Sequence, residues 1–241
     1  VRQTWLVLRR ELAAYLKSPL GAIVIAAALL IDGIYFQAKG LGGGKRLSSD
    51  VLITFFDAAS GTTMVASIVL AMRLVAGERE TGTLVLLNTA PIRDREIILG
   101  KFGAAYALLA LKNALSLYMP LLVMVNGKIN KGHVAVGYLG IFLLAGAALA
   151  IGLFASTLAR TQVVAVIVGA VVLATFVLLW LVAKVTEPPV SDFLDSLALH
   201  HDNQRPFMQG KLVATHVAYY VAVTFFFLLA ATKVMEARRW R

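Results

Sequence analysis

The chain has 241 residues, 59% of them hydrophobic and 15% charged, so a single soluble core would leave too little polar material to cover it. The absence of cysteine removes disulfides, thiolate metal sites and cysteine nucleophiles. A formal charge of +10 would suit nucleic acid only if the basic residues shared one face with aromatics among them; here they fall between apolar runs, which fits membrane topology and excludes a nucleic-acid partner.

The first element expected is an amphipathic helix over residues 1–18. In "VRQTWLVLRRELAAYLK" Val1, Trp5, Leu8, Leu12, Tyr15 and Leu16 share one face, with Gln3, Arg10 and Lys17 opposite. Such a helix lies in the membrane interface, its basic face toward anionic lipid. Pro19 then suits a turn into the membrane. Six apolar segments follow, at 19–37, 51–76, 97–125, 134–158, 163–185 and 212–235, each long enough to cross a core of roughly 30 Å. Backbone groups in lipid must be satisfied within their own segment, and six is too few strands for a barrel, so the expected fold is all-α and polytopic. The leading helix and the lack of a small-residue cleavage site argue against a removed signal peptide.

Lys and Arg set the orientation: 14 of the 23 fall on the side of both termini, 8 on the other, and Lys112 lies within a span. Both termini are therefore expected in the cytoplasm. That side also holds the run 77–96 and a short turn near Ser156 to Gln162. The outer side holds "KGLGGGKRLSSD", "NGKINKGH" and a longer loop at 186–211.

Ionisable groups inside spans are costly and face protein or water. Asp32 and Asp57 each lie about six residues from the outer end of a span, roughly 9 Å deep at about 1.5 Å per residue. Lys112 is near the middle of the third, with Asn113 and Ser116 extending a polar stripe. Lys112 is expected to pair with one aspartate or with backbone carbonyls. The small residues of the fourth span, including Gly137, Gly140 and Gly152, allow close helix approach. His200, His201 and Asp202 invite a metal reading, but adjacent histidines diverge and no spaced second ligand set accompanies them, so no metal site is assigned.

The most unusual stretch is "GERETGTLVLLNTAPIRDREIILGK", residues 77 to 101. Thr81 or Thr83 can cap a short helix carrying Leu84, Val85, Leu86 and Leu87; Pro91 stops it, and Asp94 caps the next. Two helical turns are marginal alone and need something to dock on. Glu78, Arg79 and Glu80 are placed for ion pairs with nearby basic ends or with a partner.

The same stretch resembles the signature of the type-2 ABC transporter permeases, through Glu78, Glu80, Gly82, Thr83, Leu84, Leu86, Leu87, Pro91, Gly100 and Lys101. The resemblance extends to the interface helix, the six spans and the turn "LFASTLARTQVVA". The segments "LALHHD" and "QRPFMQGKLVATHVAYYVAVTFFFLLAATKVMEARRW" look most like the gliding-motility-associated branch and, more distantly, the nitrous-oxide-reductase maturation permeases. The resemblance implies one exporter-type transmembrane domain over 1–241 in the bacterial inner membrane, acting in a dimer with a second copy or a paralogue. It also implies a separate ATPase subunit carrying ATP and Mg, which docks on 77–96 as a coupling helix through Glu78, Arg79, Glu80, Gly82, Thr83, Leu84, Leu87, Pro91 and Lys101. For the outer loop it implies short re-entrant helices over 188–210 that cap the pathway, with Phe193, Leu194, Leu197 and Phe207 as their apolar side; a periplasmic or accessory partner is left open. No cofactor is expected in the chain, whose nearest approach to a phosphate-binding loop, "GLGGGKR", lacks the first glycine and the final hydroxyl.

Two other classes compete. An ion-coupled carrier or channel would use Asp32, Asp57 and Lys112, but no internal repeat is evident. An intramembrane hydrolase would draw on Ser60 and His216, without a G-x-S-x-G elbow or an H-E-x-x-H pair.

Overall fold

The computed structural model describes residues 2–41, 48–83, 92–126 and 130–239. The part of the central run at 84–91, with Leu84, Leu87 and Pro91, lies outside the described residues, as does the middle of "KGLGGGKRLSSD", residues 42–47.

Ten α-helices make up the described chain: α1 (Arg2–Lys17), α2 (Pro19–Tyr35), α3 (Ser48–Met72), α4 (Asp94–Leu115), α5 (Tyr118–Asn126), α6 (Lys131–Leu158), α7 (Gln162–Ala183), α8 (Val190–Leu197), α9 (His201–Met208) and α10 (Ala214–Arg239), besides the single helical turn Glu78–Glu80. Six stretches are long and apolar enough to cross a membrane: Pro19–Gly40, Ser48–Glu80, Asp94–Val125, Lys131–Leu158, Gln162–Ala183 and Ala214–Arg238.

Helix α6 is the axis of the bundle. It packs chiefly against α3 and α10, and 72% of its most apolar window is buried, against 17–22% for α2, α7 and α10. Lipid tails offer no hydrophobic drive between helices, so close packing must supply the attraction, and small residues allow it. A Cβ on Gly140 would stand 2.5 Å from Phe207 Cβ, and one on Gly152 2.7 Å from Ala71 Cβ. Large apolar side chains, among them Ile31, Val171 and Phe225, are exposed on the outside of the bundle.

Several local features differ from the sequence expectation. On α1, Leu8, Leu12 and Tyr15 turn inward as expected and are joined there by Thr4, Val7 and Glu11, while Trp5 and Leu16 are exposed. The partner decides this: α4 presents Gly100 and Gly103, whose added Cβ atoms would stand 2.7 Å from Val7 Cβ and 2.8 Å from Leu8 Cδ1, so α1 must turn that side to α4. The third span is two helices: α4 ends at Leu115 and α5 starts at Tyr118. Pro120 has no N–H for the Ser116 carbonyl, which accepts from Met119 N at 3.1 Å instead, and the helix tightens and breaks there. Two π-helical segments, Phe36–Leu41 and Arg73–Gly77, continue α2 and α3. Helix α4 begins with Arg93 as its cap residue, Glu96 accepting from Arg93 N at 3.2 Å, one position before the expected Asp94 cap.

Candidate functional site

The described ends of the central run meet at the end of the bundle that carries both termini. The Arg73–Gly77 segment is closed by α6: Ser156 Oγ accepts from Val75 N at 3.2 Å and Ala76 N at 2.9 Å. The next turn, Glu78–Glu80, sends its three side chains to three places.

Glu78 turns inward. Its Oε1 lies 2.8 Å from both Lys101 Nζ on α4 and Arg10 Nη2 on α1, and Glu11 Oε1 stands 3.0 Å from the same Lys101 and 2.7 Å from the same Arg10. Lys101 is fully buried. Two carboxylates and two cations thus join α1, the end of the α3 span and the start of α4. Burial pushes the Glu11 carboxyl up, but the charge of Lys101 and hydrogen bonds from Arg10 and Lys101 outweigh it and hold the group below its ordinary 4.5.

Arg79 and Glu80 clamp the turn between α6 and α7. Arg79 donates to Thr157 O, at 3.2 Å, and to Ala159 O, and Arg238 donates to Leu158 O at 2.9 Å, so two cations serve the carbonyl end of α6. Glu80 Oε2 accepts from Gln162 N and Gln162 Nε2, both at 3.2 Å, a carboxylate at the amide end of α7. Gly82 has φ +74, the left-handed geometry that ends a helix, and its amide reaches Arg79 O at 3.2 Å. Thr81 and Thr83 hydroxyls donate backward, to Gly77 O at 3.0 Å and Glu78 O at 3.3 Å, finishing this turn.

Midway through the bundle a second polar centre links α2, α3 and α4. Lys112 Nζ stands 2.8 Å from Asp32 Oδ2 and donates to Thr62 and Thr63 hydroxyls at 3.1 Å each. Thr62 donates on to Asp32 Oδ1 at 2.6 Å, and Thr63 to Asn113 Oδ1 at 3.3 Å. Asp32 and Asn113 are fully buried and Lys112 is 1% exposed. Asp57 takes no part; its side chain is 54% exposed and nearest His200, at 3.9 Å.

At the opposite end, α8 and α9 fold back over the bundle. Phe207 is buried, while Phe193 is 64% exposed. Ser60 Oγ touches Asp57 O and His200 Nε2, both at 2.7 Å. The hydroxyl has one proton and the carbonyl only accepts, so both contacts are met only when Ser60 donates to Asp57 O and His200 Nε2–H donates to Ser60. A histidine held in that tautomer cannot take the serine proton, which removes the hydrolase reading at this pair. His216, also weighed for it, pairs with Asn203 Oδ1 at 2.8 Å. Burial pushes the His200 ring below its ordinary 6.5, with His201 adding to this and Asp57 opposing it. Among the described residues no three of His, Asp and Glu gather to hold a metal ion.

Sequence reasoning passed over Glu11, Ser156 and Gln162 as site residues. Glu11 carried a readable signal, a carboxylate four positions from both Val7 and Tyr15 on the buried stripe. Ser156 and Gln162 act through partners some eighty positions away and carried none.

Residues 48–237 match the ABC-2 family transporter proteins across all but the first span and the interface helix. The chain belongs to the ABC-2 transporter family. Two relatives share its sequence in part: the "Probable ABC transporter permease protein NosY" of Stutzerimonas stutzeri, 34% identical over 115 residues, and the protein of the same name from Pseudomonas aeruginosa, 34% identical over 110. These alignments cover 46% and 44% of this ABC-2 transporter, and 41% and 40% of the relatives. In this member of the family, the motif residues Glu78, Glu80 and Lys101, with Arg79 between them, form joints between helices at one end of the bundle.

Proposed function

We propose that this chain is the permease subunit of an ATP-driven exporter in the bacterial inner membrane, with both termini cytoplasmic, moved by a separate ATPase that docks on residues 77–96. The observation that carries this reading is the clamping of the run's described ends. Glu78 and Lys101 tie it to α1 and α4, and Arg79 and Glu80 tie it to the α6–α7 turn. A load applied between those ends, at 84–91, would reach four helices through short charged contacts. Membership in the family supports a partner ATPase, which would hold the ATP and Mg; the positive charge at the termini supports the cytoplasmic placement.

A second copy or a paralogue completes the transporter in this reading. In this reading the last span and the loop before it place the chain nearest the gliding-motility-associated branch, while the relatives named NosY are similar over 46% and 44% of the chain. Pull-down of the tagged protein with its native neighbours tests the docking: Leu87→Asp, at the site of load, should lose the ATPase while the permease stays inserted. Undiminished recruitment by that variant would overturn the assignment.

A further inference from the structure

The face between α2 and α3 carries two cavities, and they line up. One, of about 420 Å³, lies along the membrane-facing seam and is walled by Ile23, Ala27 and Ile31 of α2 and Gly61, Val65 and Val69 of α3. Thr62 is the single polar side chain on its wall, and its hydroxyl is already committed to Asp32. The other, of about 410 Å³, opens at the end of the bundle opposite the termini, between Tyr35, Lys39, Thr54, Asp57, His200 and Arg205.

The two are consecutive along the same helix faces. On α2, Ile31 of the first cavity and Tyr35 of the second are one turn apart, and Lys39 lies in the π-helical segment that continues the helix. On α3, which runs the other way, Thr54, Asp57, Gly61, Val65 and Val69 follow at intervals of three and four, as neighbours on one side of a helix do. From Tyr35 back to Ile23 the apolar stretch runs roughly 18 Å at about 1.5 Å per residue, slightly more than one leaflet of a core of roughly 30 Å.

The charges favour an anion at the polar end. Lys39 Nζ lies 5.0 Å from the Tyr35 ring centroid, and Arg205 is exposed with no carboxylate in ion-pair range among the described residues. Asp57 is the one carboxylate on that wall among the described residues, and His200 stands beside it. Gly61 sits where the seam widens: a Cβ there would meet no atom within 4 Å.

We propose that this seam is a lipid site, taking the phosphate headgroup of an anionic phospholipid between Lys39 and Arg205 and one acyl chain along the Ile23–Ile31 and Gly61–Val69 walls. An arginine reads a phosphate through paired N–H donors, and a chain lying in the groove covers apolar surface that the bundle leaves bare. The site is independent of ATPase docking, since no described residue of 77–96 lines it.

The test is retention of phosphatidylglycerol by the purified, delipidated full chain, followed by native mass spectrometry, with inorganic phosphate and a neutral diacylglycerol as separate probes. Wild type should hold phosphatidylglycerol, and Lys39→Gln combined with Arg205→Gln should weaken it about tenfold or more, the loss expected for charge-assisted hydrogen bonds. Gly61→Leu adds a side chain into open space, so it should fold and yet displace the chain. Neutral diacylglycerol should bind weakly, and inorganic phosphate should not compete. Equal retention by all variants would overturn the proposal. So would competition by inorganic phosphate together with indifference to Gly61→Leu, the mark of a free-anion site. A Gly61→Leu protein that loses an oligomer while keeping its lipid would assign the seam to a second copy instead.

Discussion

Asp32 and Lys112 neutralise one another deep in the bundle, so the informative experiment removes one and then both. Asp32→Ala leaves a buried ammonium without its counter-charge, and the loss of one partner from such a pair costs about 3–5 kcal/mol. Asp32→Leu with Lys112→Met removes both charges and should recover most of that, because Thr62 can still donate to the Ala59 carbonyl, now 3.2 Å away. Thermal melting of the detergent-solubilised variants measures it. Transport retained by the double variant would also exclude the ion-coupled reading, in which these groups carry the coupling ion. His200 gives a pH-dependent counterpart. Its folded value lies below its ordinary 6.5, so its contribution to stability is full above pH 6.5 and lost as the pH falls through the lowered value. Melting temperature should therefore fall on acidification in wild type, and His200→Gln, which keeps a donor for Ser60, should flatten that part of the profile.

At the scale of the element, the π-helical segment Arg73–Gly77 depends on a residue from another span. Ser156→Ala removes the acceptor shared by the Val75 and Ala76 amides and should destabilise the protein by about 1–3 kcal/mol, read by melting. Gly82→Ala meets no steric obstacle, yet its positive φ should make it cost about 1–2 kcal/mol, loosening the Arg79 and Glu80 clamp. The six spans were legible because length and hydropathy alone define them, and the family signature was legible because its residues are adjacent in sequence. The orientation of α1 was legible only in part: Leu8, Leu12 and Tyr15 turn inward as its sequence suggests, but Gly100, Gly103 and Lys101 on α4 draw in Val7 and Glu11 and leave Trp5 and Leu16 outside. The break at Ser116 was in principle readable from Pro120. The π-helical segments were not, since what closes one of them comes from α6. Pairing of Lys112 with an aspartate was foreseeable from the cost of a lone buried charge, while which aspartate depended on α3 turning Asp57 toward the end of the bundle.

At the scale of the molecule, the bundle is an axis, α6, with charged joints at the end carrying the termini and a polar cap of short helices at the other. Such an arrangement would pass a displacement at the end carrying the termini into α1, α4, α6 and α7 together, in keeping with a permease moved from outside its own chain. The most direct test is a pull-down of the tagged, gently solubilised protein from its native membrane, with ATP hydrolysis assayed on whatever co-purifies. The account predicts a stoichiometric nucleotide-binding subunit that is lost on Leu87→Asp and weakened by Glu80→Lys, while both variants remain inserted. An ATPase-free oligomer, or an ATPase that stays bound to both variants, would contradict it.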